Sequence, residues 1–379
     1  KAKRLFSLRL LILLLICSPW LSNAAHSPAT AAPSDEVPLT VYETTLNPEG
    51  SAYELNPGVD GSLWLSDNDA GEIRHYSADG SSLVIYSGLG AVSDAHPTSG
   101  GTVWFVDQDN ARLGHLYPDL LTPSVQYWPL PGGGPSGFGT TLDQFGRIWV
   151  SDFSQPLLYR YDPGKDAIEN LQIQLPQREV GVPIHRAYWE TEQTFTAVAA
   201  SADRKKIYFL ETGSSYLVEY DPHKGAEGEM KLLDQLAADR YRGKRDVPYA
   251  MISFCRGPDN VIYYANNSAA GNEDVTPYWG GGMAAGLVTY DLKTGQREDK
   301  GLIQVEGGLT AVHPNAASAA PDGTIYFVAH VLEPEGKGRS VSGLPADLVL
   351  EKDTDSKKQM HKGRTYTLRL LIYRPGKNR

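Results

Sequence analysis

Six short segments of the sequence repeat one pattern: an apolar residue, an aromatic, further mostly apolar residues, then in most an acid or amide. They are LWLSD (63–67), VWFVD (103–107), IWVSD (148–152), IYFLE (207–211), IYYAN (262–266) and IYFVA (325–329). Each reads as a buried strand. Self-similarity of this kind constrains the fold more than any local propensity. Turn-forming residues precede five of the six: Asp60-Gly61, Gly100-Gly101, Phe145-Gly146, Asp259-Asn260 and Asp322-Gly323. Such residues tolerate the positive φ that tight hairpins need. The fourth turn, Asp203 to Lys206, has no glycine. A third strand follows each motif (72–77, 112–117, 157–162, 216–221, 286–291 and 368–375), and a more exposed fourth follows at 82–87 and 125–130. The aligned aromatics Trp64, Trp104, Trp149, Tyr208, Tyr263 and Tyr326 lie 40, 45, 59, 55 and 63 residues apart. The shorter intervals match a bare propeller blade of ~40–50 residues, and the longer ones imply insertions. The repeat therefore predicts an all-β propeller of about six four-stranded blades, with seven as the alternative count and a β-sandwich as the rival architecture. The sixth unit lacks its outer strand, which residues 38–46 can supply, closing the ring and removing exposed edges.

The ends set the expected compartment. Lys1, Lys3, Arg4 and Arg9 precede the apolar run Leu10–Ile16, and Ser22-Asn23-Ala24 offers small residues for cleavage. This predicts a signal peptide over 1–24, a flexible tether over 25–37, and one propeller domain over 38–379. A membrane anchor is the alternative, but the run is far shorter than the ~20 residues needed to span. Secretion or residence in the periplasm is expected, with no membrane span after cleavage. Cleavage would remove Cys17 and leave Cys255 as a lone thiol, read as buried and inert. It would also leave 31 basic against 45 acidic residues, a net charge of −14. Such a chain repels phosphate backbones, so nucleic acid is not expected as a partner. The basic runs 202–206 and 240–245 read as solvated loops.

Blade geometry points to candidate residues. The start of the inner strand and the end of the second strand meet at one mouth of the central channel. The second-strand ends are Asp67, Asp107, Asp152, Glu211 and Asn266, and the inner-strand starts include Tyr53 and Asn315. Glu54, Asp94, His96, His313 and His330 are polar neighbours. The acids equally suit turn capping, and the histidines equally suit structural roles. Two insertions, about 267–285 and 332–363, fall between second and third strands on that same upper face, as a lid or as a surface for a protein partner. Tyr278-Trp279 with Gly280-Gly281-Gly282 gives an aromatic pair on a hinge, suited to stacking on a carbohydrate or other flat small molecule.

The first three units resemble streptogramin B (virginiamycin B) lyases, within the wider gluconolactonase-like and NHL-repeat propellers. The likeness rests on YEL (53–55), DGSLWLSD (60–67), RLGHL (112–116) and YWPLP (127–131), and covers roughly 40–176. The resemblance implies a seven-bladed fold, Mg²⁺ held by glutamates, a histidine base and a C–O elimination. Position by position it implies a substrate contact at Tyr53. It places Tyr249 where the family has a histidine, and His313-Pro314-Asn315-Ala316 where it has Glu-Pro-His-Gly. Asn315 thus stands at the base, and His313 and His330 stand at the metal glutamates. An amide cannot abstract a proton near neutral pH, and two imidazoles do not make the hard oxygen cage that Mg²⁺ prefers. Two histidines and an amide suit Zn²⁺ or another transition metal instead. The gluconolactonase-like relatives imply a divalent ion on a Glu, an Asn and an Asp, for which Glu54, Asn315 and Asp152 are the counterparts.

The expected function is an exported propeller that binds a small ligand or partner at the channel mouth and is not an authentic streptogramin lyase. Its ligand contacts are expected among Tyr53, Asp67, His96, Asp107, Asp152, Glu211, Tyr249, Asn266 and Trp279. The alternatives are a protein-interaction module and a metal-dependent lyase or lactone hydrolase. The enzyme reading places one divalent ion (Mg²⁺, Ca²⁺ or Zn²⁺) on Glu54, His313, Asn315 and His330, with His313, Asn315 and His330 catalytic.

Overall fold

The computed structural model describes residues 37–42, 52–79, 81–118, 122–132, 137–175, 195–211, 216–224, 228–236, 254–266, 286–305, 309–332 and 366–375. These are strands and turns with no helix among them. The regions read as signal peptide and as tether up to 36, and nearly all of both insertions, lie outside the described residues.

The first strand, β1, spans Val37–Tyr42. Blade one holds β2 (Ala52–Pro57), β3 (Leu63–Asp67), β4 (Glu72–Tyr76) and β5 (Leu83–Ser87). Blade two holds β6 (Val92–Pro97), β7 (Val103–Asp107), β8 (Arg112–Tyr117) and β9 (Ser124–Pro129). Blade three holds β10 (Gly137–Leu142), β11 (Ile148–Asp152), β12 (Leu157–Asp162) and β13 (Ala167–Gln172). Blade four follows with β14 (Phe195–Ala200), β15 (Ile207–Glu211), β16 (Tyr216–Asp221) and β17 (Glu229–Gln235). Blade five has β18 (Phe254–Arg256), β19 (Val261–Asn266), β20 (Gly286–Asp291) and β21 (Arg297–Val305). Blade six has β22 (Leu309–Ala319), β23 (Ile325–Leu332) and β24 (Tyr366–Tyr373), and takes β1 as its outer strand. The strands of each blade pair antiparallel in sequence order, so the expected six-bladed propeller is the fold.

The aromatic of each motif is the wedge between blades. Trp64 packs on Val92, Val103 and Leu116 of blade two, and Trp104 on Ile148, Val150 and Tyr161 of blade three. Trp149 packs on Phe195, Phe209 and Tyr220 of blade four, and Tyr208 on Phe254, Tyr264 and Tyr290 of blade five. Tyr263 meets Ile325, Phe327 and Leu371 of blade six, and Tyr326 returns to Leu55 and Leu65 of blade one. Burying roughly 150–250 Å² per aromatic makes these wedges the main source of inter-blade cohesion. The third strand covers each ring from its cross-strand position. Trp64 and Trp104 stack on His75 and His115 with centroids 3.8 Å apart in both pairs, and the guanidinium of Arg160 sits 5.2 Å over Trp149. Burial holds the His115 imidazole far below its usual range, at about 4, so it stacks as a neutral ring. In blade two the Phe105 ring lies directly over Gly114. A Cβ there would meet that ring at 2.3 Å, which is why the third strand carries a glycine at this position.

The first-to-second-strand turns obey one rule. Each puts a single residue at positive φ: Gly61, Gly101, Gly146, Arg204, Asn260 and Gly323. The fourth turn is one residue longer than the others: Ser201 N donates to Lys206 O, whereas Gly58 N donates to Ser62 O in the first. Arg204 occupies the left-handed position there with φ of 56°.

β1 closes the ring as expected, antiparallel to β24 through Thr40↔Ile372, Val41↔Leu371 and Tyr42↔Leu370. It also pairs parallel to β21 through Val37↔Ile303, Pro38↔Gln304 and Leu39↔Val305, and β21 pairs with β22 through Gln304↔Thr310 and Val305↔Leu309, so blades five and six form one sheet.

Candidate functional site

A bulge recurs on the inner strand of the blades. Tyr53 and Glu54 stand against one residue, Ser66, and Ser93 and Asp94 stand against Val106. Phe138 and Gly139 stand against Ser151, Thr196 and Ala197 against Leu210, and β22 carries two extra residues, Val312 and Asn315. Bulges re-aim side chains and are common beside functional sites. The serine of the motif holds the bulge open. Glu54 N donates to Ser66 Oγ at 2.9 Å, and Gly139 N to Ser151 Oγ at 3.0 Å. The same hydroxyls then donate to the next blade, Ser66 to Ser93 O and Ser151 to Thr196 O.

Past the bulge, the inner strands surround an axial cavity of about 280 Å³. It lies at the mouth formed by the first-to-second-strand turns, since Val59, Ser99, Ser201 and Arg204 line it. The sequence pointed to the opposite mouth. The cavity wall includes one equivalent position from every blade: Asn56, His96, Thr141, Ala199, Cys255 and Ser318. These pair across the strand with the aligned aromatics, as in Asn56↔Trp64, His96↔Trp104 and Ser318↔Tyr326.

Hydrogen bonds stitch the blades together around this wall. Asn56 Nδ2 donates to Asp94 Oδ1 at 2.7 Å and to Ala95 O at 3.2 Å. Asp94 Oδ2 accepts from Thr140 N at 2.6 Å and Thr140 Oγ1 at 2.5 Å. Ala200 N donates to Thr141 Oγ1 at 3.0 Å, and Arg256 Nε donates to Ala200 O at 2.7 Å. The chain runs from blade one to blade five. At blade six, Ser318 Oγ is buried on the cavity wall without a hydrogen-bond partner among the described residues. Burial raises the Asp94 carboxyl above its ordinary pKa, with His96 and the Thr140 hydrogen bonds opposing. Burial lowers the His96 imidazole, opposed by Asp94 and reinforced by Arg204.

Of the sequence candidates, Glu54 and His96 line the cavity. Asp67, Asp107 and Asp152 are buried at the other end of the inner blade and hold the second-to-third-strand turns. Asp67 accepts from Ala70 N at 3.1 Å and lies 3.3 Å from Arg74. Asp107 accepts from Asn110 Nδ2 at 2.9 Å and Arg112 Nε at 2.6 Å. Asp152 accepts from Ser154 N at 2.8 Å, Gln155 N at 3.0 Å and Tyr159 OH at 2.7 Å. Glu211 is buried at the equivalent place in blade four. Tyr249 and Trp279 lie outside the described residues, and Tyr53, Asn266, His313, Asn315 and His330 are described in their backbone alone. That backbone makes His313 and His330 Cα partners across β22 and β23, with Asn315 at the bulge two residues on. Glu54 is the member of the metal quartet whose side chain is described. Among the described residues no cluster of three or more His, Cys, Asp or Glu suited to a metal ion occurs. Cys255 is buried and free, and burial pushes its thiol well above the usual range, as an inert thiol requires.

The sequence reading passed over Arg204, Arg256, Thr141 and Ser318. Five of the six wall positions stand eight residues ahead of the aligned aromatic, and Ala199 stands nine ahead across the longer turn. That column was the available signal.

No family model matches the chain, and no curated protein matches it in sequence. Solved structures do match in shape. A streptogramin B lyase aligns with a TM-score of 0.51 and 14% identity over 78% of this chain and 83% of that one. A gluconolactonase from Xanthomonas campestris aligns at 0.52 and 12% over 78% and 93%. A luciferin-regenerating enzyme aligns at 0.53 and 12% over 89% and 95%. The chain is a six-bladed β-propeller, with the general fold of the lyase- and gluconolactonase-like propellers. At such identities the likeness establishes the fold alone.

Proposed function

We propose that this is an exported propeller that binds a small polar ligand in its axial cavity and does not carry out streptogramin elimination. One observation carries the reading: a cavity at the axis, walled by the same position of all six blades and lined by Glu54, Asn56, Asp94, His96 and Ser318. Its volume lies near the lower end of the ~300–1,000 Å³ typical of ligand pockets, which suits a metabolite-sized molecule. The amide at Asn315 and the imidazoles at His313 and His330 argue against the elimination chemistry. Export is supported by the basic-then-apolar segment ahead of Ser22-Asn23-Ala24. The test is thermal-shift screening of a metabolite library on the wild type and on Ala319→Trp, which places a bulky side chain at a residue of the cavity lining. Compounds that stabilise the wild type and leave the variant unmoved are expected. Equal shifts in both proteins, or none in either, would sink the reading.

The register of His313 with His330 favours a second reading, a divalent-metal site in blade six. Directly opposed residues of an antiparallel pair have Cα atoms about 4.5–5.5 Å apart, which sets two histidine positions side by side. The donor set fits a borderline ion such as Zn²⁺ better than Mg²⁺ or Ca²⁺. Such an ion would supply Lewis acidity to a lyase or lactone hydrolase. Elemental analysis of protein purified without chelators is expected to find one equivalent of zinc, lost in the His313→Ala/His330→Ala double variant. Metal-free wild type after zinc supplementation would exclude this reading.

A further inference from the structure

The polar groups of the axial cavity fall into two sets. Asn56, Asp94, Thr140 and Thr141 are committed to the hydrogen bonds that join the blades. Glu54 also lines the cavity and is engaged, and the groups with donors left over are Ser318, His96, Arg256 and Arg204. Ser318 Oγ is buried on the wall and unpartnered among the described residues. Ser318 is 4% exposed. His96 lines the cavity, and no described residue hydrogen-bonds its ring. Arg256 spends Nε on Ala200 O and Nη1 on Gly257 O, which leaves Nη2. Arg204 reaches the mouth from its left-handed turn position, and no described carboxylate neutralises it. Its charge is felt at both His96 and Arg256. Arg204 is exposed at the mouth and Arg256 is partly buried with Asp259 acting on it, so two guanidiniums present donors to an acceptor that enters there.

We infer that the axial cavity is a site for a compact oxyanion, a carboxylate or phosphate group, held by Arg204 and Arg256 at the mouth and by His96 and Ser318 within. The inference rests on the ligand-binding reading above and names the chemistry of that ligand. A bidentate guanidinium contact suits either oxyanion, and the serine hydroxyl and imidazole N–H complete its shell. Blade six supplies the hydroxyl, which no described residue hydrogen-bonds.

The test is isothermal titration of the full chain with inorganic phosphate and, separately, with L-malate, in low-salt buffer. One equivalent of either probe is expected to bind, more weakly as salt is added. Binding of phosphate alone marks a phosphate or phosphoester ligand, and binding of malate alone marks a carboxylate. Arg204→Asn, which keeps a residue tolerant of positive φ, is expected to weaken binding by about ten- to a hundredfold. Ser318→Ala, which keeps the packing, is expected to weaken it by about three- to tenfold. Failure of both probes to bind below about 10 mM, or equal binding by Arg204→Asn, overturns the inference. The ligand-binding reading fails separately: neutral or cationic library compounds excluded by Ala319→Trp would preserve it while removing the oxyanion.

Discussion

Replacing Asp94 by alanine is expected to lower the stability of the propeller by about 3 kcal/mol, read as a shift in the urea unfolding midpoint at constant slope. Asp94 sits on blade two and accepts from blade one through Asn56 and from blade three through Thr140. Alanine would leave the buried Thr140 amide without an acceptor and Asn56 with Ala95 O alone. Orphaned buried donors cost far more than the hydrogen bonds contribute net. Asp94→Asn isolates the charge. Its amide oxygen can serve Thr140, while Asn56 must turn over to accept from the new amide nitrogen, so a loss of about 1 kcal/mol is expected. The two variants also differ from the wild type in pH dependence. Burial raises the native pKa of Asp94 above its unfolded value. The part of its contribution that is linked to protonation is therefore fully present below the ordinary aspartate pKa and is lost as pH rises through the raised native value. Both variants should flatten that part of the stability curve. An Asp94→Ala midpoint equal to wild type, or a pH slope unchanged in Asp94→Asn, would show that the carboxylate does not bind the three blades together.

The blades were legible because their determinants are local. An aromatic at the second position of a buried strand, followed by a serine or acid and a tight turn, is written within five residues. Trp64, Trp104, Trp149, Tyr208, Tyr263 and Tyr326 all serve as wedges in the positions that the repeat implied. The turn at Asp203–Lys206 was obscure because an arginine holds the left-handed position, where sequence patterns look for glycine. The site was much less legible. Repeated acids drew attention to the ends of the second strands, yet Asp67, Asp107 and Asp152 are spent on backbone amides and neighbouring side chains in their own turns. The cavity wall is made from a column in which Asn, His, Thr, Ala, Cys and Ser share a position and no chemistry. Nothing in a single segment marks Ser318 as different from any other strand serine. Only the register of six blades around one axis shows that it shares a column with Asn56 and Thr141, which join one blade to the next. Arg204 and Arg256 are 52 residues apart in sequence and read as loop and strand-end charges until the fold brings them to one mouth.

Removing β1 is the other perturbation expected to have a large effect. A chain beginning at Glu43 should lose on the order of 5 kcal/mol, a substantial part of the ~5–15 kcal/mol that stabilises a typical protein, and should associate as its concentration rises. The reason is the double role of the strand. It is the outer strand of blade six through Thr40, Val41 and Tyr42, and it also caps the end of blade five through Val37, Pro38 and Leu39. Its loss leaves β24 paired with β23 alone and removes the β1 partner from the end of β21, and an open edge is a template for pairing with a second molecule. The outer strands of the other blades are covalently continuous with their sheets. β1 is joined to β24 by hydrogen bonds and packing, with the whole propeller between them in sequence, so it bears the closure of the ring. A permuted chain tests this directly. Residues 37–42, moved behind Arg379 on a short flexible linker, should restore a monomer and most of the unfolding midpoint, because the register with β24 needs the strand and not its place in the chain. Size-exclusion chromatography across a concentration series and urea unfolding of the three chains make the comparison. If the truncated chain runs as a monomer with the wild-type midpoint, closure through β1 is not what holds the propeller shut. If the permuted chain stays as weak as the truncated one, the strand must act from its native position.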